Sequence, residues 1–308
     1  MSIIPVRLIP DNTKINFIGL WRLASIASVI LTVTSICFML IQGINYGIDF
    51  AGGLVIEAKI GDSQPDLAQL RHNLGDMNLG EVALQSVGNN GEVLIRISNK
   101  QDADFKRGQF INDIQGVVAN SYRGVNITYN KVDFVGPQVG KQLVRDGATA
   151  TILALVAIMF YIWMRFEWQY GVALAISLIH DTILCLGFIS LFNLEFNLSA
   201  IAAILTVIGY SVNDSVVIYD RIRENIVRYT KISINDILNI SINDTLSRTV
   251  LTVLTTLLAT LSLVVYGGEV IRSFSLIVFA GIIIGTYSSI YISAPILSVL
   301  KLDNKQTN

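Results

Sequence analysis

The chain has 308 residues, of which 52% are hydrophobic and 15% charged, with a formal net charge of −1 and a mean hydropathy of +0.58. An ordinary soluble domain is about one quarter charged, so this balance calls for lipid as a solvent. No global basic field gathers nucleic acid and no Lys/Arg run supplies a local one, which sets a nucleic-acid partner aside. The only cysteines, Cys37 and Cys185, each lie inside an apolar run and read as small buried hydrophobes rather than a disulfide or metal ligands.

Residues 1–22 hold Pro5, Arg7, Pro10, Asp11, Lys14, Trp21 and Arg22 and read as a cytoplasmic N-terminus. The apolar run 23–41 follows. It is roughly nineteen residues long, which spans about 30 Å at about 1.5 Å per residue and exceeds a signal-peptide core. Its exit, QGINYG from Gln42, lacks a small-x-small cleavage site, so it is expected to stay as the first membrane helix.

Residues 42–146 are hydrophilic enough for a soluble domain. The pattern predicts a strand at 54–60, a helix at 65–77, strands at 81–87 and 92–97, a helix at 103–120 and a strand at 125–135. Leu54, Ile56 and Ala58 alternate with Val55, Glu57 and Lys59, as do Val93, Ile95 and Ile97 with Leu94 and Arg96, which is strand periodicity. The Asn-Gly pair in SVGNNGE from Ser86 is a hairpin signal. The order βαββαβ is that of a ferredoxin-like α+β domain.

Residues 147–300 contain five further apolar stretches, 147–164, 171–192, 198–218, 249–266 and 274–300, each near the roughly twenty residues a spanning helix needs. The fold class is therefore an α-helical membrane protein of six transmembrane helices, with the α+β domain inserted between the first two. Around 219–247 lies a connector in which Ser233 is a candidate N-cap and Ile234, Ile237, Leu238, Ile242 and Leu246 recur at helical spacing. A plain amphipathic helix along the membrane surface is expected there, and 301–308 is read as a cytoplasmic tail. Arg7, Lys14, Arg22, Arg165, Arg221, Arg223, Arg228, Lys231, Lys301 and Lys305 all fall on one side. The opposite short loops carry at most one basic residue, so the positive-inside rule puts both termini in the cytoplasm and residues 42–146 outside it.

Ionisable residues inside apolar helices cost about 2.5–3.5 kcal/mol each at mid-helix, so each needs a reason. Asp214 in GYSVNDS, His180 and Asp181 in the third helix, and Arg248 at the start of the fifth are such residues. By helix rise Asp214 lies only about 9 Å from Asp220 at the membrane exit, which lets Asp214 and Arg248 reach one depth and pair. Two readings stay open: a functional site, or a fixed ion pair that locks the helices. His180 and Asp181, adjacent in sequence, point in different directions and need not form one relay. Asp220, Arg221, Arg223 and Glu224 read as a solvated interfacial cluster. Arg248, Thr252, Thr255 and Ala259 share a face with Thr256 beside them, suited to close helix contact; Gly209, Ser211, Asn213 and Ser215 make the fourth helix its expected neighbour. There is no GxxxxGK[ST], zinc-ligand spacing, Cys/His nucleophile or catalytic carboxylate pair. No cofactor, metal or enzymatic activity is expected.

The segments NYGIDFAGG from Asn45 and VIGYSVNDSVVIYDRIREN from Val207 closely resemble the two signatures of the SecF family, and VGPQVG from Val135 and TLSRT from Thr245 are similar to it as well. That family partners SecD in the bacterial Sec protein-export machinery and is related to the resistance-nodulation-division transporters. The resemblance implies a subunit of the bacterial inner membrane, with its large domain periplasmic. Together with SecD it would use the proton-motive force to assist late steps of preprotein translocation through the SecYEG channel, alongside SecA and a YajC-like accessory protein. Carried over by position, Asp214 and Arg248 match the family's intramembrane acid and base. His180, Asp181 and Asn213 are secondary candidates, and Gly47, Asp49, Gly52 and Gly53 match the motif that couples domain to membrane. A non-conducting scaffold for the translocon or SecD and a small-molecule exporter of the related superfamily are the alternatives.

Overall fold

The computed structural model describes residue 10 and residues 13–61, 65–77, 81–87, 91–98, 107–300 and 302. The first helix, α1 (Phe17–Ile41), starts where Asn16 turns its side chain back to accept from the Gly19 N–H at 2.8 Å, which satisfies one of the open donors of a helix start.

Residues 46–150 form one compact unit. A one-turn helix α2 (Ile48–Ala51) leads into β1 (Gly53–Ile60), α3 (Leu67–Gly75), β2 (Glu81–Val87), β3 (Glu92–Ser98), α4 (Arg107–Ser121) and β4 (Ile127–Val135). The sheet is antiparallel in the order β2-β3-β1-β4, the ferredoxin-like arrangement the alternation predicts. Leu54, Ile56 and Ala58 of β1 and Val93, Ile95 and Ile97 of β3 are fully buried. They pack under Leu70 and Leu74 of α3 and Phe110, Ile114 and Val118 of α4. The strands' period of two thus puts every second residue on the helix-covered face. The Asn-Gly turn before Gly91, residues 103–106 of the expected second helix and most of the tail 301–308 lie outside the described residues.

Helices α5 (Pro137–Arg165), α6 (Trp168–Leu191), α7 (Leu198–Arg228), α8 (Ile234–Tyr266), α9 (Gly268–Ser288) and α10 (Ala294–Val299) complete the chain. Among the described residues six spans are long and apolar enough to cross a membrane; the sixth joins α9 and α10 through a π-helical turn, Ser289–Ser293. That turn precedes Pro295, which has no N–H for an α-helical bond, and the Ala294 N–H reaches back to the Ser289 carbonyl instead. Helices α6, α7 and the sixth span are the more buried three, whereas α1, α5 and α8 leave apolar side chains such as Leu23, Ile152 and Leu258 exposed, as lipid-facing spans do.

The sequence reads 219–247 as a surface connector, and the structure divides it differently. Helix α7 continues to Arg228, and Ser233 caps α8, its Oγ accepting from the Asp236 N–H at 3.2 Å. From Ile234 onwards the segment is the opening part of α8, and Ile237, Leu238 and Ile242 are buried. Its apolar stripe meets protein rather than headgroups because the polar side anchors the chain start. Asn243 accepts from the Ile15 N–H at 3.0 Å and donates to the Ile15 carbonyl at 2.8 Å, while Asn239 accepts from the Ile18 N–H at 2.9 Å.

A polar centre inside the helix bundle

Asp214 is buried on α7, about one turn before the end of its apolar half at Ile218. Thr249 of α8 donates its hydroxyl to Asp214 Oδ1 at 2.7 Å, and Ser289 of the sixth span donates to Oδ2. Asp181 on α6 is also fully buried. Its Oδ2 accepts from Ser211 of α7 and from Ser288 of the sixth span, both at 2.7 Å, and its Oδ1 lies 3.1 Å from His180 Nδ1. Two carboxylates on neighbouring helices are therefore held by two consecutive serines.

Arg248 is exposed, and among the described residues no ion pair joins it to Asp214. The pair expected from matching depths does not close because residues 248 and 249 are about 100° apart around α8. Thr249 takes the direction facing α7, and Arg248 is turned outwards with Thr252, Thr255 and Ala259, which are exposed as well. Asn213 is exposed too. Ser211, expected to face the fifth helix, turns instead to Asp181. His180 and Asp181 do meet, since the imidazole bends back along α6 to its neighbour.

The hydroxyl shell fits either charge state of Asp214. A serine or threonine hydroxyl donates to a carboxylate and accepts from a neutral carboxyl. Ser289 Oγ also stands 3.0 Å from the Thr286 carbonyl, and Ser288 Oγ 3.0 Å from the Gly285 carbonyl. Each of these two serine hydroxyls has one hydrogen and two acceptors within reach.

Sequence reading misses Ser288, Ser289 and Thr249. The signals for them are present: GIIIG at 281–285 is a small-xxx-small helix contact three residues before the serines, and Pro295 in an apolar span marks a local irregularity. A Cβ at Gly285 would lie 3.1 Å from Ser211 Cβ, so α9 and α7 approach closely beside the carboxylates. At the end of the same bundle Tyr219 is fully buried and shares a hydrogen bond with Ser293. The cluster expected at the exit forms ion pairs, Arg165 with Asp220 and Arg221 with Glu224 and Asp244.

In the other unit, Gly47 caps α2 at φ −71° and ψ 168°, extended backbone open to any residue. Gly52 and Gly53 differ, with φ of 71° and 142°, a region where a Cβ is strained. Asp49 lies in the single turn between them. A Cβ at Gly140 would stand 3.2 Å from the Phe50 carbonyl oxygen and 3.4 Å from that of Asp49, so the turn 48–52 and the start of α5 pack together through this glycine.

Residues 38–62 match the family model described as SecD/SecF GG Motif. Residues 115–303 match that of the protein export membrane protein SecD/SecF, C-terminal. The first covers Gly47, Asp49, Gly52 and Gly53, and the second covers His180, Asp181, Asn213, Asp214 and Arg248. The protein translocase subunit SecF of Rickettsia bellii (strain OSU 85-389) is 52% identical over 299 residues, covering 97% of this chain and 97% of that protein.

The chain belongs to the SecF family.

The SecF subunit of Rickettsia typhi (strain ATCC VR-144 / Wilmington) is 49% identical over 299 residues, 97% of this chain and 96% of its own. The crystal structure of SecDF, a translocon-associated membrane protein from Thermus thermophilus, superposes with a TM-score of 0.84 at 34% identity over 96% of this chain. A crystal structure of SecDF in a super-membrane-facing form gives 0.69 at 33% identity, also over 96% of this chain. The chain spans 40% of each solved SecDF chain, whereas it matches the SecF subunits over nearly their whole length.

Proposed function

We propose that this SecF-family chain, assembled with SecD, converts proton movement across the membrane into a pull on polypeptide leaving the SecYEG channel, with Asp214 as the coupling acid. The observation that carries it is a buried carboxylate whose hydroxyl partners suit both the charged and the neutral form. A proton crossing the potential releases about 2.3 kcal/mol per 100 mV. Loading and unloading Asp214 would redirect the Ser289 hydroxyl, while Thr249 keeps donating, and so bias two arrangements of α7, α8 and the sixth span. Arg248 supplies the counter-charge in this reading. Its outward face on α8, with Thr252 and Thr255, is costly against lipid and suits a covering helix from SecD. The chain's 40% share of the SecDF chain leaves room for such a half. SecA, a YajC-like accessory protein and the preprotein complete the assembly in this proposal; the inner membrane is its place, with residues 42–146 on the periplasmic side.

In a strain depleted of its own SecF, the chain co-expressed with its SecD is expected to co-purify with SecD and restore force-dependent export in membrane vesicles. Co-purification without restored export would favour the scaffold, which has one observation on its side: both oxygens of Asp214 are satisfied in a fixed shell. Orientation is tested separately. A reporter fused within residues 107–113 is expected to read outside the cytoplasm, and one fused after Lys305 inside; a cytoplasmic signal from the first fusion overturns the topology.

A further inference from the structure

His180 Nε2 is buried and, among the described residues, has no hydrogen-bond partner. Buried polar atoms are rarely left so. The same ring presents Nδ1 to Asp181 and lines a cavity of about 280 Å³ with Trp21, Ser25 and Ser28 of α1 and Tyr291 and Pro295 of the sixth span. The other face of Asp181 is bound by Ser211 and Ser288, and the residue after Ser288 binds Asp214.

We infer that Asp181 and His180 form a second polar centre that responds to the charge state of Asp214, and that Ser288 and Ser289 are the positioning residues that link the two. This rests on Asp214 being the coupling acid. When Asp214 takes a proton it becomes a donor. Ser289 Oγ accepts that bond and turns its own hydrogen onto the Thr286 carbonyl, 3.0 Å away. Ser288 is carried on the same turn, and its single hydrogen is shared between Asp181 and the Gly285 carbonyl at 3.0 Å. A shift towards Gly285 removes one donor from Asp181 and strengthens its bonds to the two partners that stay, Ser211 and His180. No proton passes between the carboxylates; what passes is the direction of hydrogen bonds. A π-helical turn begins at Ser289, and such turns inside helices are frequent at functional sites. Ionisable groups near the dyad are Cys185 on α6, Tyr287 and Tyr291 on the sixth span and Asp214 on α7, while α1 contributes Trp21, Ser25 and Ser28, none ionisable.

The chain contains two histidines, His72 and His180, so ¹⁵N-histidine labelling of the full chain in a lipid bilayer gives two pairs of ring-nitrogen signals, and His72→Gln assigns them. The ring nitrogens report where the proton sits. At one fixed pH, Asp214→Asn is expected to shift the His180 signals beyond their linewidth and leave those of His72 in place. Adding Ser288→Ala and Ser289→Ala should abolish that shift, and Ser288→Thr with Ser289→Thr, which keep both hydroxyls, should restore it. His72, exposed on α3 in the other unit, is the reference signal, and the shift regained with the two threonines shows that the bundle itself still folds. His180 signals identical in the parent and Asp214→Asn overturn the inference, as does a shift that survives the double alanine change. Export is read separately: force-dependent export retained by Asp214→Asn overturns the coupling role of Asp214, whereas export lost with His180 unmoved overturns only the link proposed here.

Discussion

Asp214→Asn is expected to assemble with SecD and to lose the part of export that depends on the proton-motive force. Asparagine keeps the shape of the carboxylate and both hydrogen-bond positions, accepting at Oδ1 and donating from Nδ2. Thr249 can still donate to it, and Ser289 can turn to the Thr286 carbonyl. The variant therefore mimics the neutral state and cannot leave it. A static lock tolerates this exchange, because every hydrogen bond has a replacement; a loading cycle does not. One charge moved through 100 mV is worth about 2.3 kcal/mol, a factor of about 50 in an equilibrium, so the force-dependent component should fall to the level seen with the membrane uncoupled. Arg248→Met is expected to behave alike although Arg248 makes no ion pair with Asp214, because its positive charge still acts on that carboxyl through space. The quantity to measure is export per assembled complex, with and without an uncoupler, rather than growth. Full force-dependent export by the assembled Asp214→Asn complex would sink the coupling role and promote the scaffold.

How far the sequence speaks depends on which signal each feature has. The sheet of the inserted domain is legible because period-two alternation in 54–58 and 93–97 maps directly onto one buried face. Six spans are legible from length and hydropathy alone. Asp214, Asp181 and His180 stand out as costly residues in apolar helices, but their partners do not, since serine and threonine are ordinary in membrane helices and carry no cost that flags them. The expected Asp214–Arg248 pair shows the limit of depth arguments. Helix rise gives height along the axis, while the partner is chosen by direction around it, and one residue's difference selected Thr249. The connector misleads for a related reason. An amphipathic stripe says that one face is covered, not by what, and Asn239 and Asn243 tie that segment to residues 15–18, far away in sequence.

Replacing Gly281 by alanine is expected to be the most damaging single methyl group that can be added to this bundle's inner contacts between α7 and α9. A Cβ there would stand 2.2 Å from Val207 Cγ2 and 2.8 Å from Cγ1, well inside contact distance. Val207 is buried on α7, and its branched side chain has one preferred rotamer in a helix, so it cannot swing aside. The helices must part instead. Overpacking of this kind costs about 1–3 kcal/mol, and the strain falls two turns from Asp214 on α7 and two turns from Ser288 and Ser289 on the sixth span. Gly281→Ala should lower the thermal midpoint of the chain in detergent or nanodiscs and weaken force-dependent export. Val207→Ala in the same chain removes both clashing methyls and should recover most of the loss, although alone it leaves a small void and destabilises. Gly171→Ala is the control, since the nearest atom its Cβ meets is Met159 Cε at 4.0 Å, and it should be close to neutral. A Gly281→Ala chain as stable as its parent, or one that Val207→Ala fails to rescue, would mean that α7 and α9 do not depend on this close approach to hold the two carboxylates against the serines.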